Sequence, residues 1–217
     1  MKLPKPTVLL LLFALLAGCN EPPRYGKDAR EFLQSQGISS DTINNLIARQ
    51  PLEPDVAEHL SYYENVGVLH LVGANPGTPP SVIERLAKHA NFEVRTGVAG
   101  NPNAPLDLLL SMRTVGKYTT VNGVIAGNPR LPQAIMWEML RNGEAEPYSF
   151  ASNPNCPPEL MRTIAAEGDY VARITLASNP NIPEDVAQKL SQDKTESVRN
   201  ILASNPRYGR KTTEPSR

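Results

Sequence analysis

Few side chains in this sequence have the type and spacing for chemistry. Of the two cysteines, Cys19 closes a run of small residues after an apolar stretch, the setting of a proteolytic processing site. Cys156 stands alone, and a small packed thiol is its default role. His59, His70 and His89 have neither a histidine four residues away nor a cysteine at metal-ligand spacing, so no metal site is expected. No glycine-rich phosphate loop, Gly-x-Ser-x-Gly elbow or His-Glu-x-x-His helix occurs. Acidic pairs such as Glu184-Asp185 fall where helices should begin and suit the helix dipole. Neither a catalytic constellation nor a cofactor is expected. The chemistry left is recognition, for which Leu110, Trp137, Tyr118 and Tyr148 are the candidate binding residues.

The N-terminus reads as an export signal over residues 1–18. Lys2 and Lys5 precede an apolar run from Val8 to Leu16, too short for a hydrocarbon core that needs roughly 20 residues. The Leu16-Ala17-Gly18-Cys19 sequence resembles the lipobox of bacterial lipoproteins. That resemblance implies cleavage before Cys19, diacylation of its thiol and acylation of its new amino group. Asn20, where an aspartate would signal inner-membrane retention, implies the outer membrane at its periplasmic face. Several acyl chains give stable attachment, each buried methylene contributing about 0.8 kcal/mol. Residues 19–26 then form a lipidated linker, whose stretch from Asn20 to Gly26 reaches roughly 25 Å at most.

Composition narrows the partners. The 22 basic residues balance 22 acidic ones, and losing Lys2 and Lys5 with the signal tips the chain slightly acidic. This offers no electrostatic case for nucleic acid. Proline, 21 of 217 residues, is about twice as frequent as usual. Half of these prolines recur in phase, however, so they punctuate folded structure rather than mark a linker. With Cys19 acylated, Cys156 has no partner for an internal disulfide, and packing alone must hold the fold.

An Asn-Pro corner recurs at Asn75, Asn101, Asn128, Asn153, Asn179 and Asn205, at spacings of 25 to 27 residues. Taking each Asn as position zero, proline returns at plus four as Pro79, Pro105, Pro132, Pro157 and Pro183. It should open a helix, called A below, from the first turn, where its missing N–H is no loss. Positions plus seven, plus eight and plus eleven are apolar, as in Val82, Ile83 and Leu86 or Leu160, Met161 and Ile164. That spacing is one buried helical face. A second, shorter helix B should end at the next corner, because proline disfavours the α conformation at the preceding Asn. With one or two turns available it is expected to be partly 3₁₀. The two residues before each Asn are small, which lets neighbouring backbones approach.

Period, corner, leading proline and the Val-Arg of helix B (Val94-Arg95, Val198-Arg199) together resemble the leucine-rich repeat variant family over about residues 70 to 206. The resemblance implies an all-α fold, a right-handed α-solenoid of ~26-residue repeats pairing an α-helix with a short α or 3₁₀ helix. Some family members carry a cysteine cluster for an iron–sulfur centre, and this chain has none. Residues 27–74 read as an N-terminal helical cap of degenerate repeats, 75–206 as the repeat array and 207–217 as a mobile basic tail.

Arg95, Arg173 and Arg199 share position minus six and are expected to pair with nearby acids. The middle of the array departs most from the pattern, with Gly116, Tyr118, Trp137, Pro147 and Tyr148. Position plus nine lies opposite the buried stripe, so Leu110 and Trp137 in consecutive units are expected to form an exposed patch. The function these features imply is a membrane-anchored periplasmic scaffold that binds a protein, and no enzyme. The alternative is an immunity or inhibitor lipoprotein against one toxin or hydrolase, and after it a cell-wall-remodelling accessory.

Overall fold

The computed structural model describes residues 51–52 and 54–208. The export signal, Cys19, the 19–26 linker, residues 27–50 of the proposed cap, and the tail from residue 209 lie outside the described residues. So does the side chain of His59. Among the described residues the chain forms twelve α-helices and no strand. They belong to two compact units, one ending at Asn101 and the other beginning at Pro102.

The first unit contains α1 (Pro54–Leu60), α2 (Val66–Ala74), α3 (Pro80–Ala87) and α4 (Phe92–Gly100). These alternate as helices A and B, so residues 54–74 already form a helix pair on the plan of those that follow. Helices α2 and α4 meet backbone to backbone. A Cβ on Gly97 would run into the His70 carbonyl, and one on Gly73 would lie 3.0 Å from the Val98 nitrogen. Glycine is required here by close approach rather than by a turn.

The second unit holds α5 (Leu106–Met112), α6 (Thr120–Gly127), α7 (Gln133–Arg141), α8 (Pro147–Ala151), α9 (Pro158–Glu167), α10 (Tyr170–Ala177), α11 (Glu184–Ser191) and α12 (Glu196–Ser204). Its helices B pack in succession, α6 on α8, α8 on α10 and α10 on α12, and α9 packs on α11.

The plus-four proline stands just before the first turn of each helix A, as its N-cap, rather than within it. Pro79, Pro132 and Pro183 have φ near −66° with extended ψ, and their carbonyls accept the first helical bonds. Fixed φ suits this half-helical position as well as the first turn. Buried stripes follow the expected spacing in α3, α9 and α11, through Val82, Ile83 and Leu86, Leu160, Met161 and Ile164, and Val186, Ala187 and Leu190. They narrow in the middle of the chain. Helix α5 buries Leu109 alone and α7 buries Met136 and Met139, while Leu108 and Ile135 are half-buried.

Helix B is α-helical throughout its five to nine residues rather than partly 3₁₀. Side-chain caps stabilise the start of several of these helices: Asn91, Thr119 and Asp169 accept from backbone N–H groups of the first turn. Only the last turn tightens, where each corner Asn N–H reaches back three residues, as Asn101 to Val98 O and Asn153 to Phe150 O.

The corner asparagines themselves are buried. Asn153 Nδ2 donates to Ala126 O at 2.8 Å and to Asn128 O at 2.7 Å, and its Oδ1 accepts from Asn155 N at 2.8 Å. Asn179 repeats this with Ala151 O, Asn153 O and Asn181 N, and Asn205 with Ala177 O, Asn179 O and Arg207 N. In the first unit Asn101 Nδ2 bonds Gly73 O and Asn75 O. Asn153, Asn179 and Asn205 thus each fasten their corner to the previous one in the second unit, as Asn101 does in the first. Position plus three is buried beneath the turn, and there Cys156 is packed with its thiol pushed up to about 12 by burial.

Candidate interaction surface

Position minus six builds the loops between helices A and B. Arg95 Nη1 donates to His89 O at 2.7 Å and Ala90 O at 2.8 Å, Arg173 Nη1 to Gly168 O at 2.7 Å and Arg199 Nη1 to Asp193 O at 2.5 Å. Asn122 takes the same place in its repeat, with Nδ2 donating to Thr114 O at 2.7 Å and Lys117 O at 2.8 Å. The expected pairing with acids holds only for Arg173, whose Nε donates to Asp193 Oδ2 at 2.6 Å. Burial raises the Asp193 carboxyl, but the Arg173 guanidinium and the Thr195 N–H outweigh it and hold the group below its usual range. Loop carbonyls are the main partners because a helix-borne fork reaches the chain reversal directly beside it.

Pro147 occupies minus six in the fourth corner's repeat and has no donor to offer. An ion pair does the work there. Glu144 is fully buried, and its carboxylate accepts from Arg113 Nε and, at 2.9 Å, from Arg113 Nη2. Gly116 N donates at 2.9 Å and Asn142 Nδ2 at 3.0 Å. Arg113 also reaches Glu138 Oε1 at 2.7 Å. The Arg113 bond, with help from Gly116 and Asn142, outweighs burial and lowers the Glu144 carboxyl to about 2. The same contacts raise the guanidinium further. Both carboxylate oxygens have donors, three on Oε1 and Arg113 Nε on Oε2, and such pairing is the condition for a buried charge to be tolerated.

This network ties the loop after α5 to the loop after α7. Gly116 and Gly143 turn those loops with φ of 71° and 66°. Above it Tyr118 is exposed, Tyr148 is half-buried, and their hydroxyls lie 3.2 Å apart. That bond, and the loss of some hydration, raise the Tyr118 phenol. The two tyrosines singled out by sequence thus meet, 30 residues apart. Leu110 and Trp137, expected as an exposed patch, are both half-buried, neither in the core nor fully open to solvent.

Sequence reasoning missed the exposed face of the second unit's helices B. Helices α6 and α8 contain no charged residue, α10 has only the clamped Arg173, and α12 has none after Glu196 but the clamped Arg199. Tyr170, Val171 and Ile201 are exposed there, among Thr120, Ser178 and Ser204. Helices A face solvent instead with Glu159, Arg162, Glu167, Glu184, Asp185 and Lys189. The readable signal was the absence of Lys, Asp and Glu from position minus six up to each corner. Compared with models of protein families, with curated proteins and with solved structures, the chain matches none. Among the described residues no helix is long and apolar enough to cross a membrane, and no group of three or more His, Cys, Asp or Glu could hold a metal ion.

Proposed function

We propose that this chain is a bacterial envelope lipoprotein, anchored through acylated Cys19 at the periplasmic face of the outer membrane, that binds another protein without catalysing a reaction. Its helix pairs, on this reading, continue as an α-solenoid of the leucine-rich repeat variant kind. Support comes from the periodic corners and from the Asn153, Asn179 and Asn205 amides, each of which fastens its corner to the one before. The observation that carries the binding reading is the uncharged face of helices α6, α8, α10 and α12, with Tyr118, Tyr148, Tyr170, Val171 and Ile201 on or beside it. Protein interface cores are depleted in charge and enriched in aromatic residues, and a face without charge costs little to desolvate.

Val171 is 49% exposed, so Val171→Glu places a charge on this face without disturbing the core. Gln188→Glu does the same on the charged helix A side. Full chains carrying each change, purified from their own envelope, should differ: Gln188→Glu retains the proteins that accompany the wild type and Val171→Glu loses them. A single stoichiometric companion would favour the inhibitor or immunity role, several weaker ones a scaffold. Equal retention by both variants would remove this face from consideration. An unmodified Cys19 in the mature protein, or membrane retention of a processed Cys19→Ser chain, would remove the anchor.

A further inference from the structure

The sequence contains two Asn-Gly steps, Asn122-Gly123 and Asn142-Gly143. At such a step the glycine backbone nitrogen can attack the asparagine Cγ. A C–N bond closes a succinimide ring while ammonia leaves, and water then opens the ring to aspartate or isoaspartate. One water is consumed, one ammonia is released, and nothing is oxidised or reduced. Glycine favours the reaction because no Cβ shields its nitrogen and its backbone rotates freely.

The two steps sit in different surroundings. Asn122 is fully buried within α6, its amide held by Thr114 and Lys117, and Gly123 N donates to Thr119 O at 3.0 Å. Asn142 is exposed at the end of α7. There Gly143 N donates to Leu140 O at 3.1 Å and Glu144 N to Met139 O at 2.9 Å, with Gly143 left-handed, which is a Schellman helix end. Asn142 has ψ of −2°, a conformation that turns the Gly143 nitrogen away from its own Cγ. Ring closure needs a large rotation about that bond, and the helix end has to open first. Glu144 opposes opening, because its carboxylate is the buried partner of Arg113, Gly116 and Asn142.

We propose that Asn142 is a deamidation site guarded by Glu144, and that the carboxylate formed there prevents the helix end from closing again. While the end is closed the site is silent. Once Asn142 is converted, the donor 3.0 Å from Glu144 Oε1 becomes an acceptor of like charge, and an isoaspartate also lengthens the backbone through the Schellman bonds. The change is one-way, and it loosens the loop pair that sets Tyr118 against Tyr148.

The test is peptide mapping by mass spectrometry of the full chain after incubation at mildly alkaline pH, reading both Asn-Gly steps. Asn142 in the folded wild type should react at least ~10-fold more slowly than in a free peptide spanning residues 138–148, as local opening requires. Glu144→Gln should speed Asn142 at least ~10-fold while Asn122 stays intact, which separates local opening from unfolding. A second measurement does not depend on that variant folding: Asn142→Asp should melt below Asn142→Ser at neutral pH. Wild-type Asn142 reacting as fast as the peptide, no acceleration in Glu144→Gln, or Asn122 keeping pace with Asn142 would overturn the guard. An Asn142→Asp chain as stable as Asn142→Ser would overturn the one-way step.

Discussion

Replacing Asn153 with leucine isolates what a corner amide contributes. The side chain is fully buried, and leucine nearly matches its volume while removing three hydrogen bonds, to Ala126 O, Asn128 O and from Asn155 N. Asn128 O keeps a second donor in Leu131 N at 3.0 Å, and Asn155 is exposed, so Ala126 O is left most dependent on the lost amide. At roughly 1 kcal/mol per bond the loss is about 3 kcal/mol. For a chain of this size that lowers Tm by about 6–12 °C. Asn155→Ala is the matched control. Its Nδ2 donates to Pro129 O at 2.7 Å across the same two corners, but in solvent, where about 0.5 kcal/mol and a shift near 1–2 °C are expected. Thermal unfolding by circular dichroism reads both variants side by side. If Asn153→Leu melts no lower than Asn155→Ala, burial of the corner amide is not what fastens successive corners, and the same role given to Asn101, Asn179 and Asn205 fails.

Acid should weaken the fold through Glu144. Its carboxyl is lowered to about 2, so it contributes stability that is complete above the unfolded carboxylate range and lost as pH falls from about 5 toward 2. The amount is about 3 kcal/mol, and Glu144→Gln should flatten the dependence in that window when urea midpoints are measured against pH. Gly97→Ala, despite the helix propensity gained, should lower stability by about 1–3 kcal/mol, since its new methyl meets the His70 backbone; a higher Tm would mean that α2 and α4 do not touch there. Trp137→Ser should cost about 2 kcal/mol because the ring is half-buried, and lost partner binding with unchanged melting would return Trp137 to the binding surface.

What sequence alone settled about this protein is local. Proline fixes its own φ and restrains its predecessor, so six Asn-Pro steps and five plus-four prolines placed the end of every helix B and the start of each helix A from Pro79 onward to within a residue. Side-chain periodicity placed the buried face of α3, α9 and α11, because a helix repeats its own geometry whatever surrounds it. The length of helix B was misjudged because its caps, Asn91 and Asp169 at position minus ten and Thr119 at minus nine, vary in residue type and mark the start of a helix less plainly than the prolines do. Tertiary structure decided everything that spans a repeat. Arg113 and Glu144 are 31 residues apart, Tyr118 and Tyr148 30, and the Asn153 and Asn179 amides bond carbonyls about 26 residues back. Backbone preference reaches only a few residues along the chain. Which carbonyl or carboxylate a side chain meets one repeat away depends on how helices lie on one another, and so do the buried charge at Glu144 and the face that helices B leave without any.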